Sequence, residues 1–354
     1  MSPRETDGYS VLAALVLVSV SCYRPVLQDC TVRCDPERGC PSPLTCRASG
    51  YCAQASACAS NDAAAETAPD GTPAFPPCDP SQPFGPPTLV PGLDPGGDIN
   101  VVSGNDTSAR LSRDELTIYF GSDRATANGG FELFAATRPT VTDAFAMPTL
   151  IDELASSAGE TQSPTLTPDG LTMFFESSRS GDFQIFQTSR DTLGSPWRRP
   201  KTVDTIDRGN DGGPANQVGA PYVVPGGALY FHELVRSFHD IFRADSLGIR
   251  DLSGAFRGTE DAQPAVSDDE LTMYFASTRP DPGGNAQGGY DIWIETRSSV
   301  DDDFGSPSVV QEVSSGRDDG PTWISPDGCR LYLQRSGGGL PARLFVAQKP
   351  PGMP

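Results

Sequence analysis

The chain has 354 residues, room for one large domain or two small ones, and carries 46 Asp and Glu against 26 Lys and Arg, a net charge of -20. That charge argues against a nucleic-acid partner, whose phosphates need cations to neutralise them, and against an anionic membrane surface. With 37 Gly and 34 Pro, the composition disfavours a fold of long helices and suits one of many turns.

The chain begins MSPRETDGYSVLAALVLVSVSCYRP. Val11 to Val18 is an unbroken apolar run, shorter than the roughly 20 residues a bilayer span needs and matched to the core of an export signal. Ser21 then precedes Cys22. The segment resembles a bacterial lipoprotein signal, in which that cysteine is lipidated and becomes the new N-terminus. The resemblance implies a signal peptide over 1–21, lipid on Cys22 and contact with a membrane through that anchor only. It departs from the pattern at Ser19, where an aliphatic residue is usual. An ordinary signal peptide cut nearby, or a short uncleaved anchor, is the alternative.

Nine cysteines support export, and eight remain if Cys22 carries lipid. Six of them, Cys30, Cys34, Cys40, Cys46, Cys52 and Cys58, lie in a segment over 22–58 with few large apolar groups. Such a segment cannot build a core and needs cross-links. It has no CxxC pair and no histidine, so zinc is disfavoured, and the pairing cannot be read from the sequence. Residues 59–79, rich in Ala, Pro, Thr, Asp and Gly, form a flexible linker.

From residue 80 to 350 one unit recurs five times. ARLSRDELTIYFGSDR, SPTLTPDGLTMFFESSR, APYVVPGGALYFHEL, QPAVSDDELTMYFASTR and GPTWISPDGCRLYLQRS each read as a strand, a polar turn and an alternating strand. A further strand follows each: FELFAATR, FQIFQTSR, HDIFRADS, YDIWIETR and ARLFVAQK. The turns recur at intervals of roughly 42 to 60 residues, a period that marks blade-like repeats. A fourth strand begins with an aromatic residue followed by proline, at Phe84, Phe145, Trp197 and Phe304, with a weaker copy near Phe256. These elements predict an all-β, five-bladed propeller, with six blades as the alternative count and a stacked sandwich as the alternative architecture.

The strand at Phe84 has no blade before it, and the last unit has no fourth strand after it. Ring closure joins the two, because an open last blade would expose an unpaired edge. Cys78 lies just before the closing strand and Cys329 in the last unit, so a bond between them would lock the ring. A bond from Cys329 to the cysteine-rich segment, or a free thiol at Cys329 with Cys78 paired locally, remains open.

TPDGLTMFFESSRSGDFQIF, SDDELTMYFASTRPDPGGNAQGGYDIW and SPDGCRLYL, with the aromatic-x-x-Pro strand, resemble the TolB-type, WD-like β-propeller repeat. The resemblance covers about residues 80 to 348 and is specific for fold rather than function. The first unit departs with Arg-Asp-Glu in its turn, and the third with PGGA. Signal, cysteine-rich segment, linker and propeller together resemble bacterial lipoproteins of the myxobacterial type, which implies an outer-membrane, cell-surface or periplasmic location.

For function, the polar residues leading into the innermost strands, Asn105, Glu160, Gln217, Glu260 and Asp318, are expected to ring one mouth of the channel. Such a ring would suit a cation or a basic peptide; solvated turn residues are the plainer reading. No catalytic residue, metal site or cofactor is indicated. No GxSxG occurs, His232 and His239 hold ordinary hairpin positions, and no carboxylate stands in an apolar strand context that suggests a tuned pKa. The expected function is envelope binding or scaffolding, with an envelope protein, peptide or glycan as the unidentified partner and no catalysis. The alternative is a glycan-active hydrolase using a pair of channel-mouth carboxylates.

Overall fold

The computed structural model describes residues 78–93 and 104–352, except 125, 127–128, 204–205, 207–216, 236 and 253–258, together with three short strands nearer the N-terminus. Two compact units divide the chain, Met1–Ala64 and Ala65–Pro354. In the first, Val32–Arg33, Tyr51–Ala53 and Thr45–Cys46 form a three-stranded sheet in that order. The expected signal, Cys22 and the other cysteine pairings of that unit lie outside the described residues.

The second unit is a five-bladed propeller. Blade I contains Asp106–Leu111, Thr117–Ser122, Glu132–Thr137 and Thr149–Leu150; blade II contains Thr161–Leu166, Thr172–Ser177, Gln184–Ser189 and Lys201–Thr202. Blade III contains Val218–Val223, Leu229–Val235, Phe238–Asp245 and Gly248–Asp251; blade IV contains Asp261–Val266, Thr272–Ser277, Asp291–Thr296 and Ser308–Val309. Blade V contains Asp318–Ile324, Arg330–Gly337 and Leu340–Gln348, completed by Thr88–Leu89 from the N-terminal side. Phe345 pairs with Leu89 and Val346 with Thr88. The ring is thus closed as the leftover strands predict, and the count is five.

The disulfide between Cys78 and Cys329 is formed, with Cα atoms 5.9 Å apart across 251 residues of chain. Cys78 also bridges Pro351, and the Asp79 N–H donates to the Pro350 carbonyl at 3.0 Å. Both ends of the domain are therefore fastened at one place. By chain entropy, a loop of this length contributes about 5 kcal/mol.

One fourth strand departs from expectation. Blade III takes its outer strand from Gly248–Asp251 rather than from the segment near Phe256. Asp245 accepts the Leu247 N–H at 2.7 Å, and Gly248 has φ +129°, so the chain turns straight back into a hairpin. The segment near Phe256 lies outside the described residues.

The Ser/Thr-x-Asp motif explains why four of the five first turns are alike. In blade I, Ser112 Oγ donates to Asp114 at 2.5 Å and accepts the Thr117 N–H, while Asp114 accepts the Leu116 N–H. Thr167 with Asp169, Ser267 with Asp269 and Ser325 with Asp327 repeat the arrangement. The core lies between blades. Phe120, Phe175, Tyr230, Phe231 and Phe275 are fully buried there, as expected of strand-ending aromatics.

Candidate functional site

Each innermost strand carries a β-bulge. In blades I to IV the bulged residue, Ser108, Ser163, Ala220 or Gln263, has positive φ, and the residue after the last three is proline. Between the bulges, a cavity of about 20 Å³ is lined by Ser108, Pro164, Pro221, Pro264 and Thr322, room for about one water.

The bulge amides face the blade before them and are met by side chains of its second strand. Ser108 N–H donates to Gln334 at 2.7 Å, Ala220 N–H to Glu176 at 2.6 Å and Gln263 N–H to His232 Nδ1 at 3.4 Å. Burial pushes His232 down to about 3, which keeps the ring neutral at pH 7 and able to accept. Burial also raises Glu176, against hydrogen bonds from the Ala220 amide and Gln162. Glu295, in the third strand of blade IV, is raised by burial to about 8. Both carboxylates correct the expectation that no strand carboxylate is tuned. The signal was present in the apolar runs MFFES and IWIET that hold them.

Of the five residues expected at a channel mouth, Asn105, Glu160, Glu260 and Asp318 meet the blade before their own. Asn105 Oδ1 accepts the Ala342 N–H at 2.9 Å, Glu260 accepts the His239 N–H at 3.0 Å, and Asp318 accepts the Tyr290 N–H at 3.1 Å. Each fastens its own blade to the third strand of the blade before it. The Glu160 side chain packs against Gly130 in the same way, and Gln217 is exposed with its carbonyl bonded to Leu234 N–H. The His239 ring adds a hydrogen bond between Nδ1 and Glu260 at 2.7 Å. Among the described residues, no three His, Cys, Asp or Glu side chains gather as a metal site.

The roomy feature is on the opposite face, where the Ser/Thr-x-Asp turns lie. A cleft of about 820 Å³ opens between blades I and II and reaches the channel axis. Its inner end holds Arg110, Tyr222 and Trp323, and its outer end Tyr119, Arg190, Leu193 and Trp197. Arg110 is buried at 7% exposure and stacks on the Tyr222 ring at 3.9 Å. One of its nitrogens reaches the Pro221 carbonyl at 3.3 Å, while Nε has no hydrogen-bond partner. Burial pulls its pKa down to about 10, so it remains charged at pH 7. Arg113 bonds Asp268 at 2.7 Å and links blade I to blade IV beside it.

At the outer end, Arg190 Nε donates to the Gly170 carbonyl at 2.9 Å, Nη1 to the Leu193 carbonyl and Nη2 to Tyr119 Oη at 3.2 Å. The guanidinium lies 4.3 Å above the Trp197 ring. No carboxylate pairs with either Arg110 or Arg190 among the described residues.

No protein-family model matches the chain, and no curated protein matches it. Solved structures of similar architecture include TolB from Acinetobacter baumannii, at 18% identity over 70% of this chain with a TM-score of 0.45. The chain spans 56% of the length of that TolB. The α-L-arabinofuranosidase PaAbf62A from Podospora anserina is 14% identical, covering 77% of this chain and 99% of its own, with a TM-score of 0.47. Zg3597, a family 117 glycoside hydrolase from Zobellia galactanivorans, is 13% identical, covering 75% and 90%, with a TM-score of 0.47. These are distant likenesses of fold; the propeller itself is defined by the five sheets and their closure.

Proposed function

We propose that this protein is an exported, envelope-tethered propeller that binds a small ligand or the end of a larger one in the turn-face cleft between blades I and II. The observation that carries the reading is an 820 Å³ cleft holding two arginines that have no carboxylate partner among the described residues. The cleft is of the size that encloses small ligands. The disulfide fits an oxidising compartment, and Cys22 with the linker over 59–79 would hold the propeller out from a membrane.

Two experiments test this reading. The full-length protein is screened against oligosaccharides and peptides beside a Gly194→Trp variant. Gly194 lines the cleft with open space around it, so the indole would plug the site without touching the fold. Ligands of the cleft bind the wild type and lose binding to the variant; a set of ligands indifferent to the plug sinks the reading. Fractionation of host cells with a Cys22→Ser version tests the tether, which predicts release of the protein from membranes.

A second reading, a glycan-active hydrolase, rests on Glu176, a buried carboxyl raised above its ordinary range as a general acid requires. Release of reducing ends from glycans by the wild type, and its loss in Glu176→Gln with unchanged thermal unfolding, would establish it.

A further inference from the structure

Three seams of the turn face are built on one plan. At each, the arginine closing the third strand of one blade donates Nε to the carbonyl of that blade's turn residue. Arg138 reaches Glu115 at 2.8 Å, Arg297 reaches Glu270 at 2.8 Å and Arg190 reaches Gly170 at 2.9 Å. A second-strand tyrosine of the preceding blade faces each one: Tyr332, Tyr230 and Tyr119. In two seams the turn residue is a glutamate whose carboxylate fills the space between. Tyr332 Oη donates to Glu115 at 3.2 Å, and Arg138 lies 3.7 Å from it. Tyr230 Oη donates to Glu270 at 2.7 Å, and Arg297 lies 3.8 Å from it.

In the seam between blades I and II the tyrosine and arginine are kept and the carboxylate is missing. Gly170 stands where the glutamates stand, and a Cβ built on it would lie 3.5 Å from Arg190 Nη2. The preceding blade is also trimmed. Thr117 replaces Arg330, and Ala135, paired opposite Tyr119, replaces Arg243, paired opposite Tyr230. Thr117, Ala135 and Gly170 all line the cleft. Tyr119, at 6% exposure, accepts a hydrogen bond from Arg190 at its hydroxyl and has no carboxylate to donate to among the described residues.

We infer that this seam accepts the carboxylate of a ligand, which takes the place that Glu115 and Glu270 fill in the sister seams. The inference rests on the cleft reading above and names the chemistry of what binds there. Tyr119 O–H and Arg190 Nη2 are its two donors, a charge-assisted pair of the kind that selects an acid over its neutral analogue. The carboxylate can belong to a sugar acid or to an amino acid.

The test is a calorimetric titration of the full-length protein with D-galacturonate, N-acetylalanine and neutral D-galactose. Variants are Gly170→Glu, Tyr119→Phe and Gly194→Trp. Gly170→Glu builds the sister seam, since only the flexible Leu193 tip crowds the new Cβ and Glu115 and Glu270 already adopt the same positive φ. At least one acid binds saturably while galactose does not, and whichever acid binds identifies the source. Gly170→Glu lowers its affinity at least tenfold with no loss of thermal stability, and Tyr119→Phe lowers it several-fold. Galactose binding as well as the acids, or acid binding unchanged by Gly170→Glu, overturns the inference. If that unchanged binding is still lost in Gly194→Trp, the cleft reading survives without it; if the plug too has no effect, both fall.

Discussion

The seam joining blade V to blade I and the seam joining blade I to blade II are the same joint in two states. In the first, Glu115 is buried beneath its own turn. Arg330 Nε and Nη2 donate to it at 2.9 and 2.6 Å, and Arg138 and Tyr332 flank it. In the second, Gly170 leaves Tyr119 and Arg190 facing an 820 Å³ cleft. A glutamate at φ +58° costs about 1 kcal/mol relative to glycine. Two of the three tyrosine–arginine seams are thus filled by a carboxylate of the chain, and the third, with glycine in its place, opens on a cleft built on the same scaffold.

Breaking the sealed side has the largest expected effects. Reduction of Cys78–Cys329 opens the ring at its closing blade and lowers unfolding free energy by about 5 kcal/mol, read as a fall in urea midpoint on adding reductant. Glu115→Ala takes the carboxylate from Arg138 and leaves buried Arg330 with Asp327 alone; it costs about 3 kcal/mol, seen in the same titration. Glu270→Ala costs less, about 2 kcal/mol, because Glu270 and Arg243 are more exposed than Glu115 and Arg330, and Arg243 keeps Asp245 as a partner.

A smaller effect comes from Glu295, two residues before Arg297 of the sealed third seam. Its folded pKa of about 8 lies above the ordinary 4.5, so the folded state holds a proton the unfolded state releases. Stability from this group is therefore full below about pH 4.5 and is lost as pH rises to about 8. Glu295→Gln keeps the neutral form and removes that decline. Its melting temperature should match wild type at pH 5 and exceed it at pH 8.5. The smallest effect is that of Arg113→Ala. The exposed pair with Asp268 contributes under about 1 kcal/mol, so a larger loss of stability would show that this bridge holds the channel mouth.

Much of this fold was legible in the chain. The repeated turns marked five blades, the unpaired strand at Phe84 marked the closure, and Cys78 and Cys329 could be matched to it because each belonged to one half of the joint. The candidate site was not legible for a physical reason. Gly170 belongs to the ordinary Pro-Asp-Gly turn, and the glutamates of Arg-Asp-Glu and Asp-Asp-Glu look like departures from it. Only when neighbouring blades meet do those glutamates become the rule at a tyrosine–arginine seam and the glycine the exception. The partners of the five lead-in residues were hidden by the same limit. Their spacing put them at one end of each innermost strand, but which neighbour they bind depends on the seam.

The most direct measurement is a crystal structure of the protein soaked with D-galacturonate or N-acetylalanine. The expected result is a carboxylate within hydrogen-bond distance of Tyr119 Oη and Arg190 Nη2, overlying the Glu115 carboxylate when blade II is superposed on blade I. A ligand bound instead beside Glu176 and His232 on the opposite face, or a vacant cleft at saturating ligand, would contradict it.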